Sequence, residues 1–363
     1  MKQKKYDVLV YIGRFQPLHN GHTKVIDYAL QKCRKLIVVL GSANSPRTIK
    51  NPFTQVERKE IIYDYLFESH NESYEDVLVC DVEDSLYSNA DWITRVFNTV
   101  NEAIGKFKFK DPSVGLIGVK KDADTATYID FFGSWDFVDA PLFEASEGKS
   151  IDSTKIRELY LSGHLEFVKS VVPKTTYDFL HKFQKTQEYV ELKHEYDSAI
   201  AYEHQFDSFP SNYGLNFLTV DAVVVQSGHV LLVERARAPG RGLWALPGGH
   251  VNPSETFDEA VIRELREETE IKVPEKVLRG SIKYSKIFDH PSRSLRGRLL
   301  RKNGRTVTNA YLIKLDDNNP LPRIKGCDDA KNARFFTFSE VKNMRDKLFE
   351  DHYSIIEHML ARV

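Results

Sequence analysis

The chain has 363 residues, 41% of them hydrophobic, and its 51 Lys and Arg against 52 Asp and Glu leave a formal net charge of −1. That length predicts two domains, the balanced charge gives no signal for nucleic acid, and no apolar stretch is long enough for a membrane span or a signal peptide. The isolated cysteines Cys33, Cys80 and Cys327 are typical of free thiols in a reducing compartment, so we expect a cytoplasmic protein.

Strands and helices alternate through the first half of the chain. We predict strands at residues 6–12, 36–40, 77–82 and 114–119, separated by helices that end near residues 34, 66 and 104. The spacing of Thr54 and Glu57 indicates a capping box at the start of the second helix. A strand, a glycine turn, a helix and a second strand form a βαβ unit, which implies a parallel sheet. The pattern therefore predicts an α/β, Rossmann-like doubly wound domain over residues 1–185.

The first predicted strand runs into a loop at residues 13–22, with the sequence GRFQPLHNGH. Ligands of doubly wound sheets bind at this edge, where strands end and helices begin. The loop is neither the dinucleotide fingerprint nor a Walker loop. His19 and His22 can donate hydrogen bonds to phosphate oxygens beside the positive end of the helix dipole. A His-x-x-His pair on its own is also typical of histidines that only satisfy a helix cap.

This loop resembles the His-x-Gly-His motif of the nucleotidyltransferase superfamily of adenylyltransferases. That family has a second motif near the end of the domain, and residues 152–157 (DSTKIR) match it at the expected distance. We expect Ser153 to cap a helix while Thr154 and Arg157 face a polyphosphate. Without the first motif, Arg157 would be interpreted as an ordinary exposed arginine of a helix.

Within the superfamily, residues 41–43 and 51–58 look most like the archaeal-type nicotinamide mononucleotide (NMN) adenylyltransferases. The resemblance implies that the NMN phosphate attacks the α-phosphorus of ATP in line, giving NAD and pyrophosphate. Charge on the phosphates would be stabilised by Mg²⁺ and by three catalytic residues: His19, His22 and Arg157. The substrate-binding residues implied are Gly13, Arg14, Phe15, Gly21, Lys50, Trp92, Ser153 and Thr154. Trp92 would stack on the nicotinamide ring, although an aromatic residue in a helix usually belongs to the core.

The second half begins with a connector and continues with strands. Residues 167–183 are predicted to be helical around Pro173, and residues 186–213 to form a connecting helix that ends near Pro210. Later strands are predicted at 217–225, 230–234, 281–288 and 307–315, and helices at 339–348 and 353–360. Ser227 and Gly228 predict a hairpin turn between the first two of these strands. The second domain therefore spans residues 214–363.

A loop rich in Gly, Pro and Asn at residues 248–254 precedes another predicted helix. Ser254 is the expected N-cap of this helix. Phe257, Val261 and Leu265 recur every four residues and form its apolar face.

Glu264, Glu267 and Glu268 project from one side of the same helix. Carboxylates this close repel one another unless a cation lies among them. A hard divalent ion such as Mg²⁺, held by the carboxylates and by substrate phosphates, accounts for the arrangement. A solvated acidic helix face would explain the glutamates but not the glycine pair that precedes them.

The loop and helix resemble the Nudix box, which matches here at Gly249, Glu255, Arg263, Glu264, Leu265, Glu267, Glu268 and Ile271. The resemblance implies a Nudix α/β/α sandwich with a mixed sheet. It assigns the binding of Mg²⁺ or Mn²⁺ to the Gly249 carbonyl, Glu264, Glu267 and Glu268. Glu267 and Glu268 would also be catalytic. Glu255 and Arg263 would orient the helix. Glu270 stands where the box has glycine, so a left-handed C-cap there would cost about 1 kcal/mol.

A basic run lies between the later strands: Arg293, Arg296, Arg298, Arg301, Lys302 and Arg305. It could be a solvated loop, a nucleic-acid patch or a phosphate clamp. A single basic loop without interleaved aromatic residues argues against nucleic acid. The run resembles a loop of Nudix enzymes that cleave ADP-ribose, which implies substrate binding by Arg293 and Arg296 and hydrolysis to AMP and ribose 5-phosphate.

The leading hypothesis is a bifunctional enzyme of NAD metabolism, with ATP, NMN, NAD and ADP-ribose as its small-molecule partners and no nucleic-acid or membrane partner. One alternative makes the Nudix half a non-catalytic sensor of ADP-ribose or NAD. A further alternative changes the acceptor to nicotinate mononucleotide or another small phosphate. The sequence leaves the oligomeric state open, and a homo-oligomer is compatible with it.

Overall fold

The computed structural model describes residues 4–70, 73–120, 129–141, 152–205, 215–294 and 304–363. The chain divides into two compact units, Met1–Lys193 and His194–Val363. The division falls within the segment that the sequence assigns to a connector, between predicted domains at 1–185 and 214–363. The helix in this segment ends at His204, earlier than predicted, and residues 206–214 lie outside the described ranges.

The described part of the first unit contains a parallel sheet. Its strands are β1 (Tyr6–Gly13), β2 (Cys33–Leu40), β3 (Val77–Asp81), β4 (Val114–Gly118) and β5 (Asp136–Asp139). Their order in the sheet is β3-β2-β1-β4-β5, and every neighbouring pair is parallel. The sequence did not predict β5, because none of its four residues is fully buried and no apolar run marks it.

Helices cover both faces of this sheet, which confirms the doubly wound prediction. The helices of this unit are α1 (Asn20–Lys32), α2 (Gln55–His70), α3 (Asn89–Phe107), α4 (Ser153–Leu161) and α5 (Lys174–Phe183), and the next helix, α6 (Gln187–His204), begins in the first unit and ends in the second. Successive side chains of a strand point to opposite faces. Leu9 of β1 therefore packs in one core with Ile26 of α1, whereas Val10 packs in the other core with Val96 of α3.

Local signals account for two helix boundaries in this unit. Thr54 and Glu57 form the predicted capping box, in which the Glu57 backbone N–H donates to Thr54 Oγ1 at 3.3 Å and the Thr54 N–H donates to Glu57 Oε2 at 2.7 Å. Pro173 is the N-cap of α5, so the continuous helix predicted around it was wrong. A 3₁₀ helix, Leu165–Val168, precedes it instead, because proline has no N–H to continue a helix.

The second unit contains a mixed sheet, as predicted. Its strands are β6 (Asn216–Gln226), β7 (His229–Arg235), β8 (Trp244–Ala245), β9 (Gly248–His250), β10 (Ile282–Phe288), β11 (Arg305–Lys314) and β12 (Ala330–Thr337). The main order is β10-β11-β6-β7-β12, with β8 beside β7 and β9 beside β6. Only the pairing of β11 with β6 is parallel among the described strands of this sheet.

The helices of the second unit are α7 (Phe257–Thr269), α8 (Glu275–Gly280), α9 (Phe338–Lys342) and α10 (His352–Leu360). The apolar face of α7 packs on the face of β6 that carries Val220 and Val224. The predicted N-cap of α7, Ser254, was wrong, because Thr256 occupies that position. Thr256 forms a capping box with Glu259, whose N–H donates to Thr256 Oγ1 at 3.3 Å, and Ser254 has no glutamate at the corresponding spacing.

None of the described helices combines the length and the apolar character needed to cross a bilayer. The three cysteines are free thiols, as predicted; Cys33 is fully buried and the other two are partly buried. Burial raises the pKa of Cys33 to about 11, so this thiol stays protonated at neutral pH.

Candidate active sites

The two histidines of the first motif lie at the beginning of α1. His19 is the N-cap: the Gly21 N–H donates to its Nδ1 at 3.1 Å, and the His19 N–H donates to Nδ1 of His22 at 3.4 Å. The rings stack with centroids 3.7 Å apart. Each Nδ1 accepts a hydrogen bond from a backbone N–H, so a neutral ring must carry its own proton on Nε2. The helix cap thus fixes both imidazoles with Nε2 as the donor nitrogen.

The second motif brings Arg157 to the same region. Arg157 is 3% exposed, and its Nη1 donates to the Gln16 carbonyl oxygen in the first motif at 2.8 Å. Its Nη2 donates to Thr154 Oγ1 at 3.2 Å. Burial, followed by the positive charge of Arg14, lowers the pKa of Arg157 to about 10. Two arginines that repel each other at the end of β1 favour a polyanionic ligand such as a triphosphate.

The glycines of the first motif allow close packing of aromatic rings. A Cβ atom on Gly13 would lie 3.0 Å from the Phe15 ring, and one on Gly21 would lie 3.0 Å from the His19 ring. Phe15 itself is 1% exposed and packs with centroids 4.7 Å from His22. Its side chain is therefore a core group that supports His22, and the prediction of direct substrate contact can apply only to its backbone.

The other predicted residues of the transferase motif occupy varied positions. Ser153 is the first residue of α4, but the N-cap is Asp152, whose Oδ1 accepts the Thr154 N–H at 2.8 Å, so the predicted cap at Ser153 was wrong. Lys50 is half-buried in the loop between β2 and α2. Trp92 of α3 is half-buried and packs edge-on against Phe132 with centroids 5.8 Å apart.

In the second unit, Arg263 of α7 joins the predicted glutamates. Its guanidinium donates to both oxygens of Glu255, at 2.9 and 2.5 Å, to Glu264 Oε1 at 2.8 Å and to Glu267 Oε2 at 2.9 Å. It also donates to the His250 carbonyl oxygen at 3.0 Å. The hydrogen bonds from Arg263 lower the pKa of Glu255 to about 2. Arg263 therefore connects the glycine loop to the acidic face of the helix.

Glu268 lies on the inner side of α7. It is 8% exposed, and its Oε2 accepts the Gly248 N–H at 3.0 Å. Burial raises the pKa of Glu268 to about 8, and the nearby carboxylates of Glu264 and Asp221 contribute to the rise. Burial also raises the pKa of Glu264. Two carboxyls with raised pKa values, one buried and one partly buried, are stabilised in their charged form by a cation.

The donor set fits a hard divalent cation. A Cβ atom on Gly249 would lie 2.6 Å from Glu264 Oε1, so only glycine permits the loop to approach this carboxylate. Carboxylate and carbonyl oxygens are the ligands that Mg²⁺ and Mn²⁺ accept. In the described ranges no three His, Cys, Asp or Glu side chains converge at metal-ligand distance. Glu267, which is 47% exposed, is turned toward Arg263 instead.

A buried acid that the sequence analysis did not single out lies beside these groups. Asp221 of β6 pairs with Gly248 of β9, and its Oδ2 accepts a hydrogen bond from Thr308 Oγ1 at 2.6 Å. Burial raises the pKa of Asp221, and Arg293 opposes this. A single acidic residue inside the apolar run of β6 was the signal that could have identified it.

The basic run contains a buried ion pair. Arg293 donates to both oxygens of Asp351 at 3.0 Å, and both side chains are 3% exposed. Next to Asp351, His352 accepts the Leu246 N–H on Nδ1 at 2.9 Å, and burial lowers its pKa to about 3. Arg293 is thus buried and neutralised by Asp351, and its role in substrate binding stays a prediction. Arg296, the other predicted contact, lies outside the described residues.

Comparisons with known proteins agree with this division of the chain. Residues 10–159 match the family model for cytidylyltransferase-like proteins, and residues 215–359 match that for the NUDIX domain. A nicotinamide/nicotinic acid mononucleotide adenylyltransferase of Acinetobacter baylyi is 35% identical over 192 residues, covering 53% of this chain and 94% of that relative. An ADP-ribose pyrophosphatase of Methanocaldococcus jannaschii is 31% identical over 140 residues, covering 39% of this chain and 70% of the relative.

A solved structure matches nearly the whole chain. It is the crystal structure of a bifunctional NMN adenylyltransferase/ADP ribose pyrophosphatase from Francisella tularensis, complexed with AMP and a manganese ion. The identity is 32% and the TM-score 0.85, and the match covers 98% of this chain and 99% of that chain.

Proposed function

The chain belongs to the family of bifunctional NMN adenylyltransferases/ADP-ribose pyrophosphatases, and from this premise we propose which residues carry out each reaction. The observation that supports the assignment is that each motif set is assembled within one compact unit. Arg14 and Arg157 meet in the first unit, and Arg263 joins Glu264 to Glu267 in the second.

For the first reaction, ATP binds at the carboxyl end of β1. The positive charges of Arg14 and Arg157 hold the triphosphate, and Lys50 adds a cationic contact from the next loop. His19 and His22 donate from Nε2 to phosphate oxygens while the NMN phosphate attacks the α-phosphorus and the bond to pyrophosphate breaks. No side chain is a nucleophile, so catalysis consists of positioning and charge stabilisation.

For the second reaction, the Gly249 carbonyl, Glu264, Glu267 and Glu268 hold divalent cations, on which Nudix hydrolases depend. Mg²⁺ or Mn²⁺, when bound, activates water and neutralises the leaving phosphate. Arg263 and Glu255 keep α7 and the glycine loop in register. Water attacks the diphosphate of ADP-ribose, and the products are AMP and ribose 5-phosphate.

The preferred acceptor of the first unit is NMN. The relative from Acinetobacter baylyi is named for both nicotinamide and nicotinic acid mononucleotide, so the acid analogue is the relevant competitor. The two acceptors differ by one amide-to-carboxylate change, which exchanges hydrogen-bond donors for a negative charge. A site that binds the amide through buried groups discriminates strongly against the acid.

The test uses the full chain with Mg²⁺ in three separate reactions: NMN with ATP, nicotinate mononucleotide with ATP, and ADP-ribose alone. Chromatography is expected to show NAD from the first and AMP from the third. His22→Ala should lower NAD synthesis about 100-fold, because one donor to the phosphates is lost. Glu268→Gln should lower ADP-ribose hydrolysis by a similar factor, because a charged oxygen ligand is lost.

Each variant is the control for the other, since His22→Ala should retain hydrolysis and Glu268→Gln should retain NAD synthesis. NAD without AMP, with Mn²⁺ also tried, would indicate that the second unit is a sensor or acts on another substrate. AMP without NAD would refute NMN as the acceptor. Faster turnover of nicotinate mononucleotide would reverse the proposed preference.

A further inference from the structure

Arg58 of α2 binds two loops at the carboxyl ends of β1 and β2, the loop of Arg14 and the loop that runs from Gly41 to Thr54. Its side chain is 1% exposed. Nη1 donates to the carbonyl oxygens of Arg14 and Gly41 at 2.7 and 2.8 Å, Nη2 donates to that of Ser42 at 3.2 Å, and Nε donates to that of Thr54 at 3.3 Å. Four of the five N–H donors of this guanidinium therefore go to backbone oxygens.

The loops that Arg58 joins follow neighbouring strands. β1 and β2 are parallel, and the Gly41 N–H donates to the Gly13 carbonyl oxygen at 3.0 Å where they end. Beyond this point the chains diverge into separate loops. Arg58 then connects them, because its guanidinium donates to the Arg14 carbonyl oxygen in one loop and to the Ser42 carbonyl oxygen in the other.

Both loops have unfavourable backbone conformations that must be held in place. Phe15, Ser42 and Asn44 have φ values of 51°, 52° and 50°, a region that residues with a side chain rarely adopt. Such conformations persist only when surrounding contacts enforce them, and they concentrate at functional sites. Each of the two loops has such a residue at or next to a carbonyl bound by Arg58.

We propose that Arg58 is a positioning residue for adenylyl transfer, which sets the distance between the loop of Arg14 and the loop of Ser42. The inference rests on the proposed binding of ATP by Arg14. Arg58 touches no substrate, because its donors are directed to the backbone. It acts through Arg14, whose carbonyl it holds and whose side chain faces the triphosphate.

The chemistry requires arginine at this position. A lysine retains the positive charge, but its single ammonium group cannot reproduce the planar set of four hydrogen bonds to carbonyl oxygens on both loops. Burial lowers the pKa of Arg58 to about 10, against the opposing effects of Asp81 and Asp84, so the group is still charged at neutral pH. Asp84 supports the same loop, because it accepts hydrogen bonds from the Ser42 N–H at 3.0 Å and from Ser42 Oγ at 2.5 Å.

The test is Arg58→Lys in the full chain, with Glu60→Gln as the matched control on the exposed side of α2. We expect kcat for NAD synthesis to fall about 10- to 100-fold, since small errors of alignment have effects of this size. The KM for NMN should change less than about 3-fold. ADP-ribose hydrolysis by the same chain measures the concentration of active protein and should not change.

A kcat within about 3-fold of the wild-type value, measured well below the unfolding temperature of the variant, would overturn the proposal. So would a loss of kcat that only follows the unfolded fraction, because a purely structural role predicts that result. If Arg58→Lys does not fold, Asp84→Asn tests the same loop through Ser42. We expect kcat to fall while KM is retained. An unchanged kcat would refute the role of the Ser42 loop. A wild-type chain that makes no NAD would refute the proposed function instead.

Discussion

At the scale of single residues, Glu268 combines burial with a predicted role in metal binding. Its carboxyl is 8% exposed and accepts a hydrogen bond from the Gly248 N–H. Burial raises its pKa to about 8. Without a cation the carboxyl is therefore largely protonated at neutral pH, and a metal ion must displace that proton. Metal affinity should consequently increase with pH up to about 8.

The raised pKa of Glu268 also predicts how the metal-free protein responds to pH. A carboxyl whose pKa is higher in the folded than in the unfolded state favours folding at low pH, and this contribution is lost as pH rises through about 8. In EDTA, the unfolding free energy of wild type relative to Glu268→Gln should therefore fall by about 3 kcal/mol between pH 6 and 9. Scanning calorimetry of both proteins measures the difference.

Glu267→Gln is the matched control, because Glu267 is the adjacent acid on α7 and is 47% exposed. Its unfolding free energy relative to wild type should stay constant over the same pH range. Parallel pH profiles for wild type and Glu268→Gln would contradict the raised pKa.

At the scale of elements, the end of α7 shows how the chain compensates for a missing glycine. Glu270 is the C-cap, with φ 41° and ψ 32° in the left-handed region. Its Oε1 accepts a hydrogen bond from Cys327 Sγ at 3.1 Å, and the Cys327 N–H donates to the Glu268 carbonyl oxygen at 3.0 Å. A distant segment thus binds both the glutamate and an otherwise unpaired carbonyl of the last turn.

Glu270→Gly and Glu270→Ala separate the cost of the left-handed backbone conformation from the contribution of the Glu270 side chain. Both variants lose the side-chain contacts, but only glycine relieves the left-handed strain. The glycine variant should therefore be more stable than the alanine variant by about 1 kcal/mol. Denaturant unfolding measures the difference, and hydrolysis of ADP-ribose should be unchanged in both. Equal stability of the two variants would show that φ at this position carries no cost.

At the scale of the whole molecule, each unit contains its own set of charged groups. Arg14 and Arg157 of the first unit lie near the end of β1, and Glu264, Glu267 and Glu268 of the second unit lie on α7. A ligand that binds only one set should stabilise only the segments around it, because binding free energy is added where contacts form.

Hydrogen exchange can test this separation in the intact chain. Mn²⁺ alone should slow exchange in peptides that cover residues 247–270, and NMN alone should slow exchange in peptides of the first unit near residues 13–22. The double variant Glu264→Gln, Glu268→Gln should lose the response to Mn²⁺ and keep the response to NMN. Protection by NMN that appears equally in both units would contradict the assignment of one reaction to each.

The sequence by itself determined the two folds and the location of both candidate sites. Alternating apolar strands and helices predicted the parallel sheet of the first unit, because strands covered on both faces must be apolar throughout. The sequence also located the loop at 13–22 and the helix with Glu264 and Glu268. Each lies within one short segment, so its residue types and spacing carry the chemistry directly.

Only the tertiary structure decided which residues meet from distant parts of the chain. It paired Arg293 with Asp351, placed Asp221 beside Gly248, and directed Arg58 to the Arg14 loop. No periodicity encodes such contacts, because a local pattern reports which face of an element is buried and not what covers it. Whether a charged side chain is exposed or neutralised by a partner depends on packing between elements, and this is why the ion pair of Arg293 with Asp351 could not be predicted from the sequence.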